Sequence, residues 1–250
     1  RIFMPMPFSL MIEQAKCFTP LLGGIQQSLV HEKDKSLYTF WADKVGFENA
    51  FDIADAQYST SPVKDDEYLI WYSNDFDKMD TSTSKYQYEA FVLPVFHAAF
   101  GNKLMDEALI ATTTMPIISP SGTMFGVHGT ASGAEVTNGG ETICNDYFSR
   151  RLLKVLQEIL GIGTFRIILR FGNGDDSLIL LAVKSYIPKD KFDEALKQSL
   201  DKVTRETGFI IQISKFKTST EYGVYCQNIV WIEEGHIKYA YPLILIANSI

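Results

Sequence analysis

Two adjacent carboxylates, Asp175 and Asp176, lie in a glycine-containing turn between two apolar runs of this 250-residue chain. Residues 165–171 (FRIILRF) and 177–183 (SLILLAV) are rich in large and β-branched side chains, so the segment predicts a β-hairpin with the acids at its tip. Continuous apolar runs are typical of strands that are buried on both faces. Neighbouring carboxylates in partly dry surroundings repel, and a divalent cation resolves that conflict. An ordinary solvated turn is the alternative interpretation.

A second apolar run also ends directly in an acid. Residues 67–74 (EYLIWYSN) are followed by Asp75. If this strand neighbours the hairpin in one sheet, Asp75 and Asp175 converge, and Mg²⁺ or Mn²⁺ suits a site made of few carboxylates plus substrate phosphate oxygens. Two such ions stabilise the attacking and leaving oxygens of an in-line phosphoryl displacement. The two runs together therefore indicate phosphoryl-transfer chemistry.

Two further acids follow Asp75 closely. Asp77 lies one strand period beyond Asp75 and could be another metal ligand, although a solvated loop residue is an equally good interpretation. Asp80 lies five positions after Asp75, beyond the end of the strand. There it could face an incoming sugar instead of the metal.

A small, polar, glycine-bearing loop precedes a helical pattern in the middle of the chain. Ser132 or Thr130 could cap that helix, and backbone N–H groups near a helix start suit a phosphate or a nucleic-acid backbone. Gly139 and Gly140 each weaken a helix by roughly 1 kcal/mol relative to Ala. Their presence suggests that another group approaches the backbone closely there. A capped helix after a surface loop is the alternative interpretation.

The order of these features resembles the palm of viral RNA-dependent RNA polymerases. The segment 75–80 is similar to motif A, Ser132-Gly133 with Thr137 to motif B, and 174–176 to motif C. Within the family, the polymerases of picobirnaviruses and partitiviruses, which copy double-stranded RNA, are the most similar. Three longer stretches carry this resemblance: RIFMPMPFSLMIEQAKCFTPLL (1–22), SGAEVTNGGETICN (132–145) and VYCQNIVWIEEGHIKYAYPLILIANSI (224–250).

The resemblance implies a role for each motif residue. Asp75 and Asp175 would bind two Mg²⁺ ions, with Asp176 assisting. Asp80 would read the ribose 2′-hydroxyl. Ser132-Gly133 would contact the template and the nascent base pair.

Three outlying motifs complete the resemblance. Arg1 is similar to the last basic residue of motif F and would meet the nucleotide triphosphate. Residues 224–227 are similar to motif E. The stretch 208–217 is similar to motif D, whose lysine, Lys215 or else Lys217, would act as general acid toward pyrophosphate.

One position departs from the common polymerase pattern. Glu141, four residues after Thr137, stands where many RNA polymerases have Asn. Partitivirus-like enzymes tolerate an acid there, so the departure supports the subgroup. Two facing acids cannot hydrogen-bond unless one is protonated or both hold a common donor. The sugar-sensing partner of Asp80 is therefore open among Glu141, Thr137 and Asn138, all expected to lie at the nucleotide.

The element pattern predicts an α+β architecture. We expect a polymerase palm, an antiparallel sheet backed by helices, together with part of the fingers and without the thumb. Residues 1–60 would be partial fingers, starting at the end of motif F, and 61–250 the palm with motifs A to E. A fingers-side insertion is expected at about 85–125. Because the chain lacks an initiator Met and ends in an apolar run, we expect a fragment that is inactive alone.

Three helices follow from apolar spacing and from helix-ending residues. Residues of roughly 84–100, 135–160 and 189–208 are predicted to be helical. In the last of these, Phe192, Leu196 and their successors recur at intervals of three and four residues. That helix is expected to end at Gly208.

The amino-acid composition limits the kinds of partner that the protein can bind. A net charge of −7 counts against binding to a phosphate backbone, but polymerase palms are the acidic part of such enzymes. Three scattered Cys and four His without ligand spacing indicate a reduced intracellular protein without a zinc site. No apolar run reaches the roughly 18 residues of a membrane span, so no membrane partner is expected.

The expected partners are those of a viral polymerase. They are RNA template and product and ribonucleoside triphosphates, and a capsid protein could be a further one. The expected location is the virion interior or the host-cell cytoplasm.

Two other function classes stay open. A metal-dependent phosphohydrolase or nuclease could use the same converging acids, although it would not need Asp80, the Ser-Gly loop and a downstream lysine in this order. A catalytically inactive interaction domain is the third interpretation. It is disfavoured because Asp75 and Asp175 are both retained.

Overall fold

The structure is a computed structural model, and it describes residues 11–12, 14–16, 36–38, 44–77, 79–101, 103–119, 121–130, 137–211 and 217–241. Several residues inside these elements, Asp75 and Lys217 among them, are described by their backbone alone. All statements below refer to these residues.

Runs of helices and runs of strands follow one another along the chain. The helices are α1 (Lys44–Thr60), α2 (Met79–Ser82), α3 (Lys85–Gln87), a π-helical turn (Tyr88–Val92), α4 (Leu93–Phe100), α5 (Lys103–Ala111), α6 (Thr137–Leu160) and α7 (Lys189–Thr207). The strands are β1 (Ser36–Tyr38), β2 (Glu67–Asp75), β3 (Ile117–Ser119), β4 (Gly122–Met124), β5 (Phe165–Asn173), β6 (Asp176–Lys184), β7 (Lys217–Ser219), β8 (Tyr222–Tyr225), β9 (Asn228–Glu233) and β10 (His236–Ala240). Among the described helices, none has the length and apolarity that crossing a membrane requires.

The central sheet has the strand order β1-β5-β6-β2-β7. β2 pairs antiparallel with β6 over its whole length, and β5 and β6 form the predicted hairpin. The predicted antiparallel sheet backed by helices is therefore confirmed. At one edge it differs from the prediction, because the short strand β1 runs parallel to β5.

Burial explains why the hairpin strands are continuously apolar. Every residue of 177–183 is buried, which confirms that β6 lies inside a sheet covered on both faces. Trp71 and Tyr72 of β2 are both nearly inaccessible and pack into different apolar clusters. This alternation is expected because successive strand side chains point to opposite faces.

Each face of the sheet has its own cover. α6, α7 and the π-helical turn bury apolar side chains on one face, together with Tyr72 and Ile179. On the other face, α1 and the antiparallel sheet β10-β9-β8 pack against Trp71 and Leu178. Gly223 of β8 allows the close approach of that sheet, because a Cβ there would lie 3.1 Å from Trp71 Cε3 and even closer to Leu178.

The predicted helix ends agree with the structure to within a few residues. α6 begins at Thr137, and α7 ends where Gly208 takes a left-handed φ of +73°, a conformation that glycine adopts without strain. The helix expected over 84–100 is continuous but contains the π-helical turn, a feature that hydrophobic spacing does not reveal.

Candidate active site

The strand register brings the predicted acids together. Asp75, the last residue of β2, is the cross-strand partner of Asp176, the first residue of β6. Directly opposed residues in an antiparallel pair have Cα atoms about 4.5–5.5 Å apart. Asp175 precedes Asp176 in the turn. The expectation that acids from two separate strands converge is thus met by the backbone.

The turn that carries Asp175 is tighter than the sequence suggested. Asn173 pairs with Asp176, so the connection consists of Gly174 and Asp175, whereas the predicted turn spanned 172–176. Gly174 has a φ of +57°, in the left-handed region that favours glycine in two-residue hairpin loops. Asp175 and Asp176 are both half-buried.

The acids form a donor set that suits a hard divalent cation. Like charges directly opposite each other destabilise an antiparallel pair, and a bound cation would relieve that repulsion. Carboxylate oxygens are the ligands that Mg²⁺ and Mn²⁺ take in proteins. Among the side chains that the structure describes, no group of three His, Cys, Asp or Glu is arranged to hold a metal. Asp75 lies outside that set, since only its backbone is described.

The start of α6 lies directly over the turn. Thr142 accepts a hydrogen bond from Gly174 N at 2.8 Å. The Asn145 amide donates to Gly174 O and to Asp176 O, both at 3.0 Å. Thr142 and Asn145 are each 1% exposed. Two helix side chains therefore satisfy three backbone groups of the turn.

Asn138 and Glu141, two of the expected nucleotide-binding residues, also face the turn. Asn138 Nδ2 donates to Asn173 Oδ1 at 3.1 Å. A Cβ placed on Gly174 would come within 3.2 Å of Asn138 Nδ2 and 3.5 Å of Glu141 Oε2. Glu141 is 8% exposed. A Cβ at this position would crowd Asn138, so space as well as the positive φ favours glycine in this turn.

The β8–β9 hairpin reaches the same point from the other face. Asn173 Nδ2 donates to Cys226 Sγ at 3.5 Å, so Asn173 bridges α6 and the tip of this hairpin. Burial raises the pKa of the Cys226 thiol to about 12, and the nearby charge of Asp176 adds to the effect. The thiol is therefore neutral at physiological pH. The stretch that resembles motif E thus lies beside the stretch that resembles motif C.

Asp80 lies in the short helix α2, half-buried. Its backbone carbonyl accepts a hydrogen bond from Thr130 Oγ1 at 2.8 Å, and Thr130 is 1% exposed. Thr130 therefore links the segment that resembles motif A to the loop before α6. The suggestion that Thr130 caps α6 is wrong, because the helix begins seven residues later, at Thr137.

Gly140, one of the two glycines of α6, has a structural explanation. A Cβ on Gly140 would lie 2.5 Å from Tyr88 Oη and 2.9 Å from Tyr88 Cζ. The predicted close approach is therefore present at Gly140, but it is made by a side chain of the same protein.

Four predicted site residues lie outside the described residues: Arg1, Ser132, Gly133 and Lys215. Two others, Lys217 and Thr137, lie within them. Lys217 begins β7 and is the cross-strand partner of Ser73, two residues before Asp75. Thr137 is 8% exposed. Their expected roles stay predictions.

Sequence analysis missed Thr142, Asn145 and Asn173. A signal for Asn145 was available, because positions 145, 149, 152 and 156 share one helix face. That face is polar at Asn145 and Ser149 and apolar at Leu152 and Leu156, and all four are buried. Polar residues in line with a core-facing stripe indicate a buried polar contact.

Comparison with known proteins gives the fold independently. No family model and no curated protein matches the chain. The crystal structure of the RNA-dependent RNA polymerase of a human picobirnavirus matches with a TM-score of 0.67 and 17% identity, covering 96% of this chain and 42% of that one. An insertion-loop deletion mutant of the same kind of polymerase matches with a TM-score of 0.67 and 15% identity, covering 96% and 43%.

The chain therefore spans about four tenths of the length of these polymerases. The match includes the sheet, the hairpin and the helices that position the acids, because it covers nearly all of the chain. The fold of this chain, an antiparallel sheet backed by helices, is therefore similar to part of the fold of a picobirnavirus RNA-dependent RNA polymerase.

Proposed function

We propose that this chain contributes the catalytic palm to template-directed RNA synthesis by a viral polymerase. The observation that carries the proposal is the pairing of Asp75 with Asp176 beside Asp175, within a fold shared with polymerases. In phosphoryl transfer the protein takes little part in the covalent chemistry. Positioning and charge stabilisation do most of the work.

The acids would hold the metal ions. Asp75 and Asp175 would each contribute a carboxylate to two Mg²⁺ or Mn²⁺ ions, with Asp176 assisting. When bound, such ions stabilise the attacking and leaving oxygens of the displacement. The protein's own part is to keep the carboxylates close together despite their repulsion, and the β2–β6 pairing does this through the backbone.

Other residues would bind the nucleotide. Asp80 would accept a hydrogen bond from the ribose 2′-hydroxyl, and its position is supported by the bond from Thr130 to its backbone carbonyl. Arg1 would meet the triphosphate. Lys215, or else Lys217, would protonate the pyrophosphate leaving group.

The base-pair side of the site would be formed by the loop before α6 and by the start of that helix. Ser132 and Gly133 would contact the template and the nascent base pair, and Thr137 and Glu141 would lie near the sugar. Asn138 has one amide hydrogen committed to Asn173. A nucleotide contact would have to use its other polar atoms.

The partners and location follow from the activity. RNA template and product and ribonucleoside triphosphates would bind, a capsid protein could be a further partner, and the site of action would be the virion interior or the host-cell cytoplasm. Because the similar polymerases are more than twice as long, we expect the 250-residue chain alone to be inactive.

The test is RNA synthesis by the longest natural protein that carries this sequence, with template, primer and labelled nucleotides. Asp75→Ala and Asp175→Ala should each abolish synthesis. Asp77→Ala serves as the matched control and should be milder, since the Asp77 contacts that the structure gives are backbone ones, to Ile210 O at 2.8 Å and from Ser82 Oγ at 3.2 Å. Synthesis by Asp175→Ala would refute the assignment, and RNA hydrolysis without extension would favour a nuclease.

A further inference from the structure

We propose that Asn145 is a positioning residue for the metal-binding turn. It does not touch substrate in this account. By donating to the carbonyls on either side of Asp175, its amide fixes the turn in the shape that presents Asp175 and Asp176 to the metal. This inference rests on the proposed function of the same site.

The contacts of Asn145 account for the polar atoms of its amide. The side chain is 1% exposed, and its Nδ2 lies 3.0 Å from both Gly174 O and Asp176 O. Both neighbours are carbonyls, so the nitrogen must face them and donate one hydrogen to each. Ser149 Oγ donates to Asn145 Oδ1 at 3.3 Å, which fixes the amide in this orientation.

The backbone of Gly174 is held from α6 at both its N–H and its carbonyl group. Gly174 lies between the strands and is the residue with the widest conformational freedom. Its N–H is taken by Thr142 at 2.8 Å and its carbonyl by Asn145. Both side chains stand on a 24-residue helix. Asp175 is therefore linked on both sides to a rigid element.

The two hydrogen bonds need a side chain of this size that can donate two hydrogens. Leu has nearly the same shape but leaves both carbonyls without their donor. Asp would place carboxylate oxygens against carbonyl oxygens and bring a further charge beside Asp176. The identity of the side chain therefore matters beyond filling space, and loss of the donors should loosen the turn without removing any metal ligand.

The experiment measures Mn²⁺ binding by electron paramagnetic resonance on the longest natural protein that carries this sequence, for the wild type, Asn145→Leu and Asp175→Asn. Groups that orient metal ligands typically contribute roughly 10- to 100-fold in metal affinity. We expect Asn145→Leu to weaken Mn²⁺ binding by that factor and Asp175→Asn to weaken it further.

The matched control is Gln87→Leu. Gln87 is 3% exposed, and its Nε2 donates to Thr207 O, at the end of α7, at 3.2 Å. Gln87→Leu should lower the melting temperature and leave Mn²⁺ affinity unchanged. Comparing Gln87→Leu with Asn145→Leu separates the general effect of losing a buried amide from the specific effect of changing the turn geometry.

Thr142→Val is the second variant, for the case in which Asn145→Leu does not fold. It removes the acceptor of Gly174 N–H and should weaken Mn²⁺ binding severalfold. Unchanged affinity in folded Asn145→Leu or, failing that, in folded Thr142→Val would overturn the inference while leaving the proposed function intact. A wild-type chain whose Mn²⁺ binding is absent, or is unaffected by Asp175→Asn, would overturn the proposed function as well.

Discussion

A buried carboxylate at the opposite end of these strands should set the register that brings the acids together. Glu67 opens β2 and is the cross-strand partner of Lys184, which ends β6. Arg166 of β5 donates to Glu67 through Nε at 3.1 Å and Nη2 at 2.8 Å. The Glu67 side chain is 2% exposed. The Glu67 carboxylate therefore links β2 to β5 and β6.

The magnitude follows from the pKa of Glu67. Hydrogen bonds from Arg166, with smaller contributions from the Lys64 backbone and Lys184, lower it from 4.5 to about 2. A shift of this size corresponds to about 3 kcal/mol of stability. Because the pKa is lower in the folded chain, this stability is fully present above pH 4.5 and is lost as the pH falls toward 2.

Replacement by an uncharged isostere tests this directly. Urea unfolding at pH 7 should show Glu67→Gln less stable than the wild type by about 3 kcal/mol, and the difference should shrink to about 1 kcal/mol at pH 3. Asp66→Asn is the control, because Asp66 pairs with the same Lys184 but its side chain is 63% exposed. It should change stability little. A difference for Glu67→Gln that is equal at pH 7 and pH 3 would refute the reasoning.

Three further substitutions test individual features. Asp176→Asn should stabilise the metal-free chain by roughly 0.2–1 kcal/mol, because it removes the like charge opposite Asp75. It should also reduce the rise in melting temperature that Mn²⁺ causes. A lower melting temperature of the metal-free variant would contradict this prediction. Gly140→Ala should destabilise the chain because of its 2.5 Å approach to Tyr88 Oη, and Tyr88→Phe in the same chain should recover part of the loss, as calorimetry would show. Glu234→Gly should stabilise the chain by about 0.5–1 kcal/mol, because Glu234 has a φ of +50° that glycine adopts without strain; chemical unfolding measures this.

The central strands could be predicted because their signal is local. An apolar run that is buried on both faces has a recognisable composition, and β2, β5 and β6 appeared where such runs were found. The turn was predicted two residues too wide on its N-terminal side. Gly172 and Asn173 lack apolar side chains, yet their backbone groups continue the ladder opposite Ser177 and Asp176, since pairing depends on backbone hydrogen bonds.

The support of the turn could not be predicted in the same way. The bond from Asn145 to Gly174 joins residues 29 positions apart, and Asn173 meets Cys226 across 53 positions. Such contacts depend on the packing of α6 and the β8–β9 hairpin against opposite faces of the sheet. The motif order predicted the metal ligands, whereas the residues that support the turn emerged only from the tertiary structure.

The central claim is that acids from β2 and from the β5–β6 turn converge on one metal-binding site. Fe²⁺ bound in place of Mg²⁺, with ascorbate and peroxide, cleaves the backbone beside the metal, and mass spectrometry locates the cuts. We predict cuts at two segments of the same chain, one near Asp75 and one near Asp175, both suppressed by excess Mg²⁺ and by Asp175→Asn. Cuts confined to one of these segments, or cuts that persist in Asp175→Asn, would contradict the account.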